Sequence, residues 1–381
     1  MADDSVPVPV SLRNEGYQDL RDLLERFEQM GEVEKIDGAD WNLEVGAISE
    51  MTAAAKPGRA KAMLFDNIKG YPPGYRILSG AANAFRRLSV VLNLPEPLNE
   101  IDLVKNYRNR SKRDFELIPP IEISQGPILE NIMRDGDVDV WKFPVPFVHE
   151  LDGGRYIGTD DAVIMRDPDT GWVNSATYRV MVHDKNTLAI WMSPGKQGRL
   201  ISEKYFAKDE PCPVLISCGH DPLLFLVSHQ EIDHEVDEFA YAGGMRGRAL
   251  EVIPSEVHGL PIPAHAEIVI EGEIYGDELK EEGPFGEFMG YYASNASQLP
   301  IVRVKRIYHR TDPILTLAIP SRPPENFTFA EERRLMYVAM TRAKKRIYMF
   351  TGDSIFAVSD FIHEIETYYP KLIKAFHEKK K

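Results

Sequence analysis

The stretch DAVIMRDPDTGWVNSATYRVMVHDKNTLAIWMS, residues 161–193, decides the fold. The runs DAVIMRD, WVNSATYRVMVHD and TLAIWMS are separated by DPDTG and HDKN, whose Asp, Asn and Gly residues favour chain reversal. They predict successive antiparallel strands. PVLISCG (213–219) and AEIVIEGEI (266–274) add more of the same kind. Strands joined by short turns in this way predict a mostly antiparallel barrel or sandwich.

Upstream the pattern is different. In YQDLRDLLERFEQMGEVEKI (17–36), Leu20, Leu23, Leu24, Phe27 and Met30 share one helical face, and Gly31 stops the helix. Strands are expected at Val33–Ile36 and Ala62–Phe65, with helices at Leu43–Ala55 and Ala82–Leu94. This alternation predicts an N-terminal α/β domain, residues 1–118. Proline-rich punctuation at IPPIE (118–122) and WKFPVPF (141–147) opens the β-rich domain, residues 119–325. Beyond it, residues 326–381 read as a short helix-and-strand tail, so the chain as a whole is α+β.

With 381 residues, 43% hydrophobic and 10% aromatic, the chain can bury a sizeable core. MADDSVPVPVSLRNEGY lacks the basic and apolar regions of a secretory signal, and no run of 18 apolar residues occurs. Two cysteines, Cys212 and Cys218, are too few for a disulfide framework and are not at zinc spacing. A cytoplasmic protein without membrane association is expected. The net charge of −14 disfavours nucleic-acid binding, which depends on Lys and Arg. The charge is uneven: residues 331–381 hold eleven Lys and Arg against seven Asp and Glu.

Four stretches carry groups capable of chemistry. NSATYR (174–179), read as one strand, puts Asn174, Ala176 and Tyr178 on one face and Ser175, Thr177 and Arg179 on the other. It fits an ordinary barrel strand with a solvated Arg, or an amide oxygen for a metal beside a guanidinium for a carboxylate. MSPGKQGR (192–199) reads as a Gly/Pro loop carrying Lys196, Gln197 and Arg199, either plain surface or a phosphate-receiving loop. SHQEIDHEVDEFAYAGGMRGR (228–248) contains His229 and His234, read as solvated, and Glu238, a candidate oxygen ligand ahead of an expected strand FAYAGG. EEGPFGEFMGYY (281–292) separates Glu282 from Glu287 by Gly-Pro-Phe-Gly, which cannot continue a helix and predicts a tight bend. Phe285, Phe288, Tyr291 and Tyr292 would lower the local dielectric and raise a carboxyl pKa, while a nearby Arg would hold the other carboxylate ionised. A turn with incidental glutamates fits as well.

In this order, with AMLFDNIKGYPPGYRIL (62–78), GHDPLLFL (219–226) and IPSRPPE (319–325), these stretches resemble the UbiD-like decarboxylases over about residues 11–324. The resemblance implies a split, flavin-binding β-barrel. It also implies a reversible non-oxidative decarboxylase of an aromatic, heteroaromatic or α,β-unsaturated acid, using prenylated FMN. By this resemblance Arg179, Glu282 and Glu287 form the catalytic network, with Glu287 as proton donor and Glu282 paired to Arg179. Asn174 and Glu238 would ligate Mn2+ or Mg2+, with K+ as a further candidate ion. Ser175, Ala176, Lys196 and Ser228 would line the flavin. A flavin prenyltransferase would supply the cofactor, and a small carboxylic acid would be the substrate.

Two departures are visible. The family's third metal ligand is a histidine, where this chain has Gln197, a weaker neutral donor; weakened manganese and cofactor retention is expected. In place of the family's C-terminal oligomerisation domain stands FAEERRLMYVAMTRAKKRIYMFTGDSIFAVSDFIHEI (329–365). Residues 327–370 resemble the last motif of superfamily 1 UvrD/Rep-type helicases, in which the arginine matching Arg342 reaches the γ-phosphate of ATP. No GxxxxGK[ST] loop is present in the sequence to hold that nucleotide. The expectation is a chimera, a decarboxylase truncated after its barrel and fused to a helicase fragment, active or else a poor cofactor binder. A nucleic-acid- or ATP-binding module in the tail is the remaining alternative, and homo-oligomerisation would lack its usual domain.

Overall fold

The structure, a computed structural model, describes residues 16–55, 59–111, 116–230, 232–287, 292 and 295–319. The expected tail, residues 326–381, lies outside the described residues, as do Phe288 and Tyr291. The chain divides into two compact units, one of residues 1–284 and 295–319, the other of residues 285–294 and 320–381.

The first unit opens with α1 (Leu20–Gln29), β1 (Val33–Asp37), α2 (Glu44–Ala55), β2 (Ala62–Asp66), β3 (Arg76–Ser79), α3 (Phe85–Val91) and α4 (Glu100–Ser111). Asp19 caps α1 by accepting from the Asp22 N–H, and Gly31 leaves it with φ +70°. The stripe Leu20, Leu23, Leu24 and Phe27 is buried, as its periodicity predicts.

Next come β4 (Ile121–Glu122), β5 (Asn131–Arg134), β6 (Arg155–Gly158), β7 (Asp161–Arg166), β8 (Val173–Ala176), β9 (Arg179–Asp184) and β10 (Thr187–Trp191). They are followed by α5 (Gln197–Phe206), β11 (Cys212–Cys218), α6 (Pro222–His229), α7 (Glu238–Arg246), β12 (Glu251–Pro254) and β13 (Pro261–Pro263). The long strands β14 (Ile268–Glu282) and β15 (Ser297–His309) and the short β16 (Ile314–Leu317) complete the described chain.

Nine strands form one antiparallel sheet, ordered β6-β9-β10-β15-β14-β11-β7-β8, with β5 on β15. The β6 and β8 ends do not pair among the described residues, so the curled sheet stays open as a split barrel. A second sheet, β1-β2-β3-β16, mixes parallel and antiparallel pairs. Its last strand arrives from beyond the barrel and pairs parallel with β3. One core combines Phe65 and Ile77 with Val180, Ile190, Ile216, Ile270 and Val302; the other packs Leu20, Phe27 and Leu64 with Leu224, Phe239 and Ile314. Mixed helices and strands around a half-open barrel match the α+β expectation. No helix among the described residues is long and apolar enough to cross a membrane.

Three local expectations need correction. FAYAGG is not a strand but lies within α7, because Asp237 accepts hydrogen bonds from the Phe239 and Ala240 N–H groups and starts a helix there. MSPGKQGR is a loop only as far as Lys196, the N-cap of α5; Gln197 and Arg199 stand in the first turn of that helix. NSATYR is not one strand: β8 ends at Ala176 and β9 begins at Arg179, with Thr177 and Tyr178 making the passage between them.

Candidate functional site

Glu282 ends β14, and the chain then turns through Gly283, at φ +86°, and a cis Gly283–Pro284 bond. That backbone conformation suits glycine and stops the strand, so the carboxyl of the last strand residue stays at the barrel. Glu282 is fully buried, and Arg179 reaches it from the first position of β9. The guanidinium donates twice, Nε to Oε1 and Nη2 to Oε2, both at 2.8 Å. The Tyr156 hydroxyl on β6 donates a third bond to Oε1 at 2.7 Å. Burial, followed by the Glu282 charge, raises the Tyr156 phenol far above its ordinary pKa and keeps it a donor. Arg179 also lies over the Trp191 ring, 5.1 Å from its centroid. Paired twice, stacked and capped by Tyr156, the ion pair has one geometry.

Tyr156 was not legible as a site residue. In RYIG it reads as one more apolar core position, and its partner lies 126 residues away. Tyr156→Phe should cost about 1.5–3 kcal/mol, the worth of a hydrogen bond to a charged group, as measured by urea unfolding.

A second cluster forms where α7 meets β8. Glu238, the first residue of α7, accepts from Asn174 Nδ2 and from the Ser175 N–H, both at 3.0 Å. Ser175 Oγ and Ser228 Oγ are 2.7 Å apart. Asn174 and Glu238 are both buried, and Asn174 Oδ1 has no hydrogen-bond partner among the described residues. Burial pushes the Glu238 carboxyl up to about 7, against the pull of the Ser175 N–H. A buried carboxyl with no cationic partner among the described residues, beside an orphaned amide oxygen, is what a hard divalent cation would satisfy. No set of three or more His, Cys, Asp or Glu capable of holding a metal occurs among the described residues, so an ion here would need other oxygen ligands beside Glu238.

Gln197, half-buried at the start of α5, makes no hydrogen bond to Asn174 or Glu238 among the described residues. Its helix start is fixed by the Gly198 N–H, which donates to the Tyr178 hydroxyl at 3.0 Å. Lys196 is exposed at the N-cap, and Ala176 closes β8 opposite Val163. His229 and His234 are exposed, with His234 against the Trp172 ring, as their solvated reading expects. Glu287 belongs to the second unit, half-buried beside Gly286, which bridges to Tyr292. The structure thus gathers Arg179, Tyr156 and Glu282 in one place and Asn174, Ser175, Ser228 and Glu238 in another.

Comparison with known proteins places these residues in context. The model of the UbiD family, 3-octaprenyl-4-hydroxybenzoate carboxy-lyase Rift-related domain, matches residues 121–323, and that of its N-terminal domain matches 24–104. A pyrrole-2-carboxylic acid decarboxylase of Pseudomonas aeruginosa is 34% identical over 320 residues, 82% of this chain and 64% of that protein. The vanillic acid decarboxylase of Sedimentibacter hydroxybenzoicus, in its closed form, superposes with a TM-score of 0.74 at 28% identity, over 81% of this chain and 65% of the other. HmfF of Pelotomaculum thermopropionicum, a UbiD-class enzyme in complex with FMN, gives 0.72 at 27% identity, over 80% and 65%; an evolved dimeric form of it carries prFMN. The chain therefore spans just under two thirds of the length of the curated relatives it matches. A model of the UvrD-like helicase C-terminal domain matches residues 314–354 and so overlaps the UbiD match, including β16.

Proposed function

Because the chain belongs to the UbiD family, we propose that it is a non-oxidative carboxy-lyase acting on an aromatic, heteroaromatic or α,β-unsaturated carboxylic acid with prenylated FMN. The observation that carries this is the buried, doubly hydrogen-bonded Arg179–Glu282 pair on the barrel that also holds Asn174 and Glu238. When bound, the flavin supplies the electron sink that no side chain offers to an sp² carbon losing carbon dioxide.

The chain's residues supply binding, orientation and one proton. Asn174 and Glu238, with Gln197, are read as the ligands of Mn2+ or Mg2+ that anchor the cofactor phosphate. Ser175, Ala176, Lys196 and Ser228 are read as lining the flavin. Arg179 and Tyr156 hold Glu282 in a single orientation. Glu287 is assigned the acid role, its carboxyl O–H delivering a proton to the carbon that carbon dioxide leaves. Proton transfer by a placed acid contributes about 10²–10⁴-fold. A flavin prenyltransferase is the supplier this cofactor requires.

Gln197 favours a second reading, in which the same site binds cofactor too weakly to turn over. Its amide oxygen is a poorer donor than imidazole, so Gln197→His should tighten manganese binding about tenfold in calorimetric titration. Equal affinities would remove Gln197 from the ligand set. The segment matching the UvrD-like domain is assigned no nucleotide site of its own, since the sequence has no phosphate-binding GxxxxGK[ST] loop. The decisive test of the main reading is carbon dioxide release from a panel of aryl and heteroaryl acids by protein co-expressed with a flavin prenyltransferase.

A further inference from the structure

Tyr156 bonds Glu282, and the residue before it reaches the other way, since neighbouring strand residues project to opposite faces. That residue is Arg155, half-buried at the start of β6. Its Cζ lies 3.8 Å from the centroid of the Trp41 ring and 4.7 Å from that of Trp141. Its Nε donates to the Val145 carbonyl at 2.7 Å, and its Nη2 to the Tyr71 hydroxyl at 2.6 Å. A planar guanidinium can lie against aromatic faces and donate within its own plane at once, which an ammonium cannot.

Trp41 and Tyr71 come from the N-terminal elements, Trp141 and Val145 from the chain entering the barrel. Backbone bonds lace the same junction: the Leu43 N–H donates to the Phe147 carbonyl at 2.8 Å, and the Phe147 N–H to the Trp41 carbonyl at 3.0 Å. On its other side the start of β6 meets the Glu282 turn at two points. The Gly153 N–H donates to the Pro284 carbonyl at 2.7 Å, and a Cβ at Gly153 would overlap the Gly283 carbonyl oxygen. The Tyr156 hydroxyl makes the second contact, on Glu282 itself. Residues 153–156 therefore join the N-terminal elements to the turn that carries Glu282, and Arg155 fastens that link on the N-terminal side.

We propose that Arg155 is a positioning residue for the reaction: held by Trp41, Trp141 and Tyr71, it fixes the start of β6 and, through Gly153 and Tyr156, the place of the Arg179–Glu282 pair. The inference rests on the reading of that pair as part of the catalytic network. The N-terminal elements then act on the chemistry through the placement of Glu282. Small misplacement of a reacting constellation by a distant change is costly, so a residue that never touches substrate can still set the rate.

The first test is hydrogen exchange at arginine Nε–H groups, followed by NMR on the full chain without cofactor. In Arg155→Met the Arg179 Nε–H, bonded to Glu282, should exchange about tenfold or more faster. The Arg87 Nε–H, bonded to the Ala81 carbonyl, and the backbone amides of β11 should exchange as in wild type. A purely structural arginine would quicken all of them together. Trp41→Leu, which keeps Arg155 and removes one ring, should quicken Arg179 exchange about threefold. In protein loaded with prenylated FMN, Arg155→Met should lower kcat about tenfold with KM within about twofold. In a Tyr156→Phe background the same change should lower kcat by only about threefold, because the link to Glu282 is already cut there. Unchanged Arg179 exchange in both variants, exchange quickened equally at every site, or kcat losses that multiply would overturn the proposal. A wild type that releases no carbon dioxide overturns the catalytic reading and the kinetic half of the proposal with it, while the exchange pattern still decides whether Arg155 places the pair.

Discussion

Glu287→Gln should lower decarboxylation by about 10²–10⁴-fold while leaving flavin bound, because the amide keeps the size of the acid but cannot deliver its proton. Loss of carbon dioxide would leave a carbon that must be protonated before product departs, and a placed acid does this faster than water. The residue sits two positions beyond Phe285 and one beyond Gly286, in the segment that bridges Gly286 to Tyr292. The measurement is single-turnover product formation together with the visible spectrum of bound flavin. A variant that keeps the spectrum and the rate removes Glu287 from the acid role. One that loses both the spectrum and the rate would assign Glu287 to cofactor retention instead.

Breaking the Arg179–Glu282 pair should have the largest effect on stability. Arg179→Ala leaves a fully buried carboxylate that keeps, among the described residues, its Tyr156 bond, and removal of one partner of a buried ion pair costs about 3–5 kcal/mol. Glu282→Ala removes two hydrogen bonds from the guanidinium, which keeps the Trp191 ring beneath it, and should cost somewhat less. Replacing all three groups, as Arg179→Met, Glu282→Leu and Tyr156→Phe together, should recover much of that loss, since buried pairs often give way to apolar packing at little cost. The triple variant should nevertheless be inactive. Urea unfolding of the single and triple variants, with decarboxylation assayed alongside, separates the two contributions. A stable and active triple variant would mean that the pair serves neither orientation nor catalysis.

The parts of the fold that were legible in the sequence are those with a strong period. The stripe of α1, the strand runs on either side of DPDTG, and the stop at Gly31 each follow from local rules acting over a few residues. FAYAGG was misread because a six-residue apolar run has no decisive period, yet Asp237 just before it was an available helix-start signal. The break inside NSATYR is a tertiary event: Tyr178 turns aside to receive the Gly198 N–H, and no local pattern announces that.

The site divides in the same way. Arg179 and Glu282 are 103 residues apart, and only family resemblance joined them before the structure did. Tyr156 carried no such signal. A strand tyrosine reads as core. Its bond to Glu282 distinguishes it, and that bond is a property of the assembled barrel rather than of the segment.

The proposal turns on decarboxylation by this chain with Glu287 as acid and the Arg179–Glu282 pair as its support. The most direct measurement is carbon dioxide release from the acid panel by protein loaded with prenylated FMN, comparing wild type, Glu287→Gln and Arg179→Ala. The account predicts release by wild type from at least one aryl, heteroaryl or α,β-unsaturated acid, and none above background from either variant. Wild type that holds the flavin and releases no carbon dioxide, or variants that release it at the wild-type rate, would contradict the account.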